Sequence, residues 1–142
     1  MQKIYLDNAA TTPLREEVIV EMTNVMRDFY GNPSSTHSFG RSAKTLLEQS
    51  RKSIAKLLNA QASEIIFTGS ATEGTNLILH SAVKDLGIKR IITSKIEHHA
   101  TLHTVAVLER EFGINVTFLP IHADGSVQIS DLPELLAQPI TT

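Results

Sequence analysis

The amino-acid sequence predicts an α/β fold, because segments with the apolar spacing of helices alternate with short β-branched segments along most of the chain. No internal repeat, low-complexity stretch or linker divides its 142 residues. The composition, 42% hydrophobic and 20% charged, is that of an ordinary soluble domain with enough apolar side chains to build a core.

Two helices are predicted in the first half of the chain. A short apolar start, Ile4 to Leu6, precedes the first helix, which covers Arg15–Tyr30 and ends at the turn Gly31-Asn32-Pro33. The second helix runs from about His37 to Leu58. Apolar residues three and four apart mark the inward faces: Val18, Met22, Val25, Met26 and Phe29 in the first helix, and Ala43, Leu46, Leu47, Ile54, Leu57 and Leu58 in the second.

The second half is predicted to alternate strands and helices. The predicted strands are Ile65–Phe67, Arg90–Thr93 and Asn115–Leu119, and the predicted helices are Thr75–Leu86 and His99–Phe112, which end at Gly87 and Gly113. A tight turn at Asp124-Gly125 follows, and Ser130-Asp131 can cap a short helix that carries Leu132, Leu135 and Leu136. The sequence Q-P-I-T-T of residues 138–142 indicates a loop and the first residues of another strand.

The composition also excludes several classes of function. Cysteine is absent, so this chain by itself has no disulfide, no thiolate chemistry and no cysteine-ligated metal site. A formal net charge of -2 and a pI near 6.3 give no reason to expect nucleic acid or an anionic membrane as a partner. No apolar run approaches the roughly 20 residues of a membrane span, and the polar N-terminus lacks the apolar segment of a signal peptide. We therefore expect a cytoplasmic protein.

The turn from Thr68 to Asn76, with the sequence T-G-S-A-T-E-G-T-N, leads into a predicted helix. Unpaired N–H groups and the positive end of the helix dipole favour an anion at such a place, and small residues let a phosphate approach. The turn is neither a Walker motif nor a G-x-G-x-x-G dinucleotide site. A well-capped helix, with Ser70 or Thr72 as the cap and Glu73 as a favourable first-turn charge, explains the same residues without a ligand.

A second polar cluster, Glu97–His103, contains three histidines. His99 and His103 are four residues apart and would share a helical face, which is ligand spacing for a divalent metal. No third ligand is evident and the order differs from H-E-x-x-H, so a pair of surface or interface histidines is the simpler interpretation. His98 follows a predicted strand at the carboxyl edge of the sheet, where its imidazole could stack on a planar ligand or transfer a proton.

Two further segments, Asp7–Pro13 and Tyr30–His37, are rich in amide and hydroxyl groups, and turn chemistry explains either one alone. The four polar segments read in order Y-L-D-N-A-A-T-T-P, G-N-P-S-S-x-H-x-x-G-R, I-x-F-T-x-x-A-T-E-x-x-N and E-H-x-A, followed by a strand and a D-G turn. As an ordered set they resemble the N-terminal part of a cysteine desulfurase of the NifS/IscS type, a class V enzyme that uses pyridoxal 5'-phosphate (PLP).

The resemblance implies a fold and a domain organisation. The fold would be part of the large domain of a fold type I PLP-transferase, with a mixed, mostly parallel sheet flanked by helices and truncated within the domain. Residues 1–14 would line the active site, and residues 15–142 would form the first part of the PLP-binding domain. The whole chain would be about the first third of such an enzyme.

The resemblance also implies roles for individual residues. Ala71 and Thr72 would bind the PLP phosphate, which agrees with the anion interpretation above, and His98 would be catalytic, stacking on the pyridine ring and assisting proton transfer. No metal is implied. Asn8, Ala9, Ala10 and Thr11 would line the substrate side of the pocket, and Asn32 and His37 would belong to a loop near the active site and a dimer interface. Gly69-Ser70 stands where the family usually has Ser-Gly, so Ser70 places a side chain where the backbone commonly approaches the cofactor or adopts an unusual dihedral angle.

For the complete enzyme, the resemblance implies conversion of L-cysteine to L-alanine, with the sulfur held as an enzyme persulfide and passed to a sulfur-acceptor protein, for example in iron–sulfur cluster assembly. A homodimer or larger homo-oligomer is implied. The present chain has no cysteine, and none of its lysines follows the Ser-x-His pattern of the family's Schiff-base lysine, so we predict that it is inactive alone. The alternatives are another class V enzyme, such as a selenocysteine lyase or an aminotransferase, a truncated oligomerising module without activity, and an unrelated α/β domain.

Overall fold

The computed structural model describes residues 3–138, and the chain divides into two compact units, Met1–Ile66 and Phe67–Thr142. The first unit contains α1 (Glu16–Asp28), α2 (Ser38–Leu57) and a one-turn 3₁₀ helix (Ala62–Glu64). The second contains α3 (Ala71–Lys84), β1 (Arg90–Ser94), α4 (His99–Phe112), β2 (Asn115–Leu119) and α5 (Leu132–Ala137). Helices and a parallel strand pair confirm the predicted α/β class. None of the helices in the described part of the chain combines the length and the apolar character of a membrane span.

Helices α1 and α2 form where the sequence predicts them, but they bury less apolar surface than expected. Small residues, Ala43 and Ala55, are the buried apolar side chains of α2. The predicted inward positions Met26, Leu57 and Leu58 are wrong, since they are 66%, 86% and 66% exposed. Leu57 and Leu58 lie where the chain leaves α2: Leu58 is the C-cap, and the next residue turns away with a positive φ of 51°.

The loop before α2 packs closely against the first turn of that helix. Gly40 is buried there, and a Cβ atom built on it would lie 2.4 Å from the carbonyl oxygen of Ser35. A Cβ atom on Gly31 would lie 2.6 Å from the backbone of Phe39. Any side chain larger than hydrogen would therefore push the loop off the helix, which gives a physical reason for both glycines of the G-N-P-S-S-x-H-x-x-G-R segment.

The predicted strand Ile65–Phe67 is wrong. The backbone at Ile65 is extended, but no described residue pairs with this segment as a strand, and a strand exists only as part of a ladder. The Arg51 guanidinium donates to the Ile65 carbonyl instead. The 3₁₀ helix just before it was not predicted from the sequence, and it is held by a capping box in which the Glu64 carboxylate accepts from the Gln61 N–H at 2.7 Å.

In the second unit, β1 and β2 pair in parallel, from Arg90 opposite Asn115 to Ser94 opposite Leu119. Helix α4 connects them, so β1, α4 and β2 form a βαβ unit. The core beneath the sheet is Val83, Leu108 and Ile114, with Leu79, Ile91 and Val116 packed against it. Helix α4 ends as predicted at Gly113, which has a φ of 63°.

The chain after β2 forms the predicted turn at Asp124-Gly125, where Gly125 has a φ of 88°. The Asp124 carboxylate accepts from the backbone N–H of Ser126 at 2.9 Å and from its hydroxyl at 2.7 Å, and these bonds lower the pKa of Asp124. The predicted cap of α5 is wrong: Asp131 occupies the N-cap position, but its carboxylate accepts from Gln128 rather than from the helix. The predicted strand start at 138–142 falls, from residue 139 onward, outside the described residues.

Candidate functional site

The second unit contains a cleft of about 470 Å³ beside the first turns of α3 and α4. This volume is within the range typical of small-molecule sites. The cleft brings together two polar clusters that the sequence places 26 positions apart, because Thr72 and His98 both line it. The lining residues are Thr72, Asn76 and His80 from α3, and His98, His99, Ala100, His103, Thr104 and Val107 from α4 and its N-cap.

Ser70 determines where α3 begins. Its hydroxyl accepts from the Glu73 N–H at 3.1 Å, and its carbonyl accepts from the Gly74 N–H at 3.1 Å. The helix therefore begins at Ala71, four residues earlier than the apolar spacing predicted, whereas the prediction of Ser70 as a cap is confirmed. The backbone of Ser70 is ordinary extended chain, with φ -163° and ψ 163°, so the Gly-Ser order at this turn introduces no unusual dihedral angle.

The Ser70 cap leaves two backbone N–H donors free at the N-terminal end of α3. The N–H groups of Ala71 and Thr72 make no hydrogen bond to any described residue, and neither does the Thr72 hydroxyl. They lie at the positive end of the helix dipole, in a turn with an exposed surface. The capped-helix and anion-binding interpretations of this turn are thus compatible. Ala71 itself is not among the residues that line the cleft.

His98 is the N-cap of α4, with its ring exposed at the cleft. Its Nδ1 atom accepts from the Ala100 N–H at 3.1 Å. A nitrogen that accepts a hydrogen bond carries no proton, so Nε2 holds the proton of the neutral ring and is the atom that can donate to a ligand. The cap therefore sets both the orientation and the tautomer of this imidazole.

Three more histidines line the cleft. The rings of His99 and His103 meet edge to face with centroids 5.8 Å apart, and Nδ1 of His80 is buried without a hydrogen-bond partner in the described chain. Residues 3–138 contain no group of three side chains arranged to hold a metal ion. Asn76 and His80 were not predicted as lining residues, although the spacing of four from Thr72 to Asn76 to His80 is that of one helix face.

The predicted substrate-side residues lie in the first unit. Asn32 accepts the Ser34 N–H through its side chain at 2.9 Å, and His37 caps α2 by accepting the Gly40 N–H at 3.4 Å. The N-terminal residues form an exposed turn, in which the Asp7 carbonyl accepts two backbone N–H groups at 3.1 and 3.4 Å. That turn contains Asn8, Ala9, Ala10 and Thr11. The assignment of these residues to a substrate pocket stays a prediction.

Comparison with known proteins gives a consistent result. Residues 4–141 match the family of class-V aminotransferases. The chain is 44% identical over 137 residues to the cysteine desulfurase IscS of Dictyoglomus turgidum, and the matched region covers 95% of this chain and 34% of that protein. A solved NifS-like protein superposes with a TM-score of 0.86 at 38% identity, over 94% of this chain and 37% of that one. SspA, solved in complex with cysteine, superposes with a TM-score of 0.80 at 36% identity, over 94% of this chain and 38% of that one. The chain spans about a third of the length of the curated relatives it matches.

Proposed function

Because the chain belongs to the class-V aminotransferase family, we propose that the complete protein that carries it is a PLP-dependent cysteine desulfurase. The resemblance to NifS/IscS enzymes drawn from the motifs is confirmed by the relatives and the structural neighbours. The observation that carries the proposal is the cleft itself, since it brings Thr72 at the start of α3 together with the His98 imidazole, whose tautomer is fixed.

The residues in the cleft and at the adjacent start of α3 suit the two ends of PLP. The free N–H groups of Ala71 and Thr72, with the Thr72 hydroxyl, would hold the phosphate, since a helix N-terminus supplies both donors and a favourable potential. The His98 ring would lie against the pyridine ring and present Nε2–H for proton transfer. When bound, PLP supplies an electron sink that stabilises negative charge developing on the substrate carbon.

L-Cysteine is proposed as the substrate because the relatives are named cysteine desulfurases and one structural neighbour is a complex with cysteine. The products would be L-alanine and a persulfide sulfur that passes to an acceptor protein. Asn8, Ala9, Ala10, Thr11, Asn32 and His37 are proposed for the substrate side of the pocket on the motif resemblance alone. We propose residues 15–142 as the first part of the PLP-binding domain and the cytoplasm as its location.

The isolated chain is proposed to be inactive and self-associated. Its sequence contains no cysteine to accept sulfur. Its surface carries large apolar side chains, among them Met26 at 66%, Tyr30 at 71% and Ile78 at 68% exposure. Such surface is covered in stable assemblies, which supports a homodimer or larger oligomer.

Titration of the complete apoprotein with PLP tests the cofactor site. We expect Thr72→Ala to weaken PLP binding by about 1.5–3 kcal/mol, the scale of a hydrogen bond to a charged group. Thr75→Ala on the same helix is the matched control, because the Thr75 hydroxyl makes no hydrogen bond to the described part of the chain and does not line the cleft.

A second pair of variants separates the two roles of His98. His98→Ala removes the ring and the cap together, whereas His98→Asn keeps a favoured N-cap residue and removes only the ring. Both variants should change the absorbance of bound PLP, and only His98→Ala should also lower thermal stability. Unchanged affinity in Thr72→Ala together with unchanged absorbance in His98→Asn would refute the assignment.

A further inference from the structure

The two helix ends of the cleft are joined by a chain of hydrogen bonds that the motifs do not explain. On α3, the Asn76 amide Nδ2 donates to the Thr72 carbonyl at 2.8 Å. On α4, the Thr104 hydroxyl lies 2.8 Å from Oδ1 of Asn76 and 2.7 Å from the Ala100 carbonyl. The Ala100 N–H in turn donates to Nδ1 of His98 at 3.1 Å. These contacts, together with the backbone of Ala100, connect Thr72 to His98.

The orientation of the Asn76 amide follows from its neighbours. An oxygen placed against the Thr72 carbonyl would oppose a second acceptor, so the NH₂ group must face that carbonyl and Oδ1 must face Thr104. The Thr104 hydroxyl has one proton, which is shared between Oδ1 of Asn76 and the Ala100 carbonyl. Donation to Oδ1 of Asn76 is the bond that links α4 to α3.

Burial makes this link costly to break. Thr104 is only 4% exposed and Asn76 is half-buried, so water does not readily replace a lost partner. Valine has the shape of threonine and would fill the same space between α3 and α4. Packing alone therefore does not require a hydroxyl at position 104. The hydroxyl is required to donate to Oδ1 of Asn76 and so to orient its amide.

We propose that Asn76 and Thr104 are positioning residues that hold the Thr72 turn and the His98 ring in a fixed relation, so that one ligand can engage both. This inference rests on the proposed function, because it assigns the phosphate end to Thr72 and the ring end to His98. Neither Asn76 nor Thr104 is assigned a direct contact with the cofactor.

The test compares PLP with pyridoxal, which lacks the phosphate, on the complete apoprotein. The ratio of the two dissociation constants measures how well the phosphate is held. We expect Thr104→Val to lower this preference for PLP about tenfold, equal to about 1.4 kcal/mol. Thr104→Ser, which restores the hydroxyl, should stay within about twofold of the unmodified protein.

Thr101→Val is the matched control on α4, because the Thr101 hydroxyl makes no hydrogen bond among the described residues, and it too should stay within about twofold. Thermal unfolding of each apoprotein is measured in parallel. A lower melting temperature for Thr104→Val with an unchanged preference would overturn the inference and leave Thr104 a packing residue. If Thr104→Val gives no cooperative unfolding transition, Asn76→Ala decides, with the same expected loss and an unchanged ratio as the contrary result.

The failures of the two proposals are distinguishable. An unmodified protein that shows no preference for PLP over pyridoxal refutes the proposed cofactor site, and the inference with it. If the unmodified protein clearly prefers PLP, and both Thr104→Val and Asn76→Ala keep that preference, only the positioning role is refuted and the proposed cofactor site stands.

Discussion

The close approach of the loop before α2 to the first turn of that helix gives a quantitative prediction for Gly40→Ala. The added Cβ atom would lie 2.4 Å from the Ser35 carbonyl oxygen and 2.7 Å from that of Asn32. Ordinary contacts begin at 3.4 Å, so the loop and the helix would have to separate by about 1 Å. The clashing atoms belong to the backbone, which cannot rotate away as a flexible side chain would.

Two opposing effects determine the size of the change. Overpacking costs about 1–3 kcal/mol, and a clash with backbone atoms belongs to the upper part of that range, about 2–3 kcal/mol, whereas replacing glycine by alanine in a helix recovers about 1 kcal/mol. The net loss of stability is therefore about 1–2 kcal/mol. With a urea m-value of about 2 kcal/mol per molar, the unfolding midpoint should fall by roughly 0.5–1 M.

Gly74→Ala is the matched control, because Gly74 also lies in the first turns of a helix. Its added Cβ atom would meet Thr68 at 3.5 Å, an ordinary contact. The gain in helix propensity is then unopposed, and the midpoint should rise. Urea unfolding of both variants is followed by circular dichroism. A Gly40→Ala protein as stable as the unmodified chain, beside a stabilised Gly74→Ala protein, would show that the loop does not pack on α2 as described.

Two further predictions concern the isolated chain. We expect it to be inactive, so sulfide release from L-cysteine with added PLP and a thiol reductant should equal that of a protein-free control, and turnover above the control would contradict this. We also expect it to self-associate, so light scattering should give a mass at least twice 15.6 kDa. A well-folded monomer at micromolar concentration would contradict self-association. Hydrogen bonds to the Asp124 carboxylate, first from the Ser126 N–H and second from the Ser126 hydroxyl, hold the pKa of Asp124 below its ordinary 3.8. The charged carboxylate therefore stabilises the turn above pH 3.8, and this stabilisation is lost as the pH falls through the lowered pKa. Asp124→Asn keeps an acceptor oxygen but does not titrate, so its stability should lose this acid dependence, and an equal acid dependence in both proteins would count against the assigned bonds.

The elements predicted most accurately from the sequence are those whose ends are marked by a capping or helix-ending residue close by. Helix α4 and strand β2 have the predicted bounds, and Gly113 between them has the left-handed backbone that ends the helix. Ser70 was recognised as a possible cap from its residue type, although the apolar spacing placed the helix start later. Local patterns suffice in these cases because the interactions that determine the boundary lie within four residues of it.

The incorrect predictions concern features that depend on distant residues. Ile65–Phe67 has the composition of a strand, but a strand also needs a neighbour to pair with, and composition does not supply one. Leu57 and Leu58 continue the apolar spacing of α2, yet exposure depends on what lies opposite them. The bond between Asn76 and Thr104 joins residues 28 positions apart, so no local pattern indicates it.

The number of free backbone donors explains why a phosphate is assigned to α3 rather than to α4, although both helices begin at the cleft. The N–H groups of the first three residues of a helix have no partner within the helix. At α4 the His98 ring accepts from the Ala100 N–H and the His98 carbonyl accepts from the Thr101 N–H, which leaves one of the three, that of His99. At α3 the Ser70 hydroxyl accepts from the Glu73 N–H, which leaves the adjacent pair of Ala71 and Thr72. A phosphate with several acceptor oxygens is better matched by two neighbouring N–H groups and a hydroxyl than by one N–H group. Side-chain replacement cannot remove those N–H groups, and for that reason Thr72→Ala should weaken PLP binding by the scale of one hydrogen bond rather than abolish it.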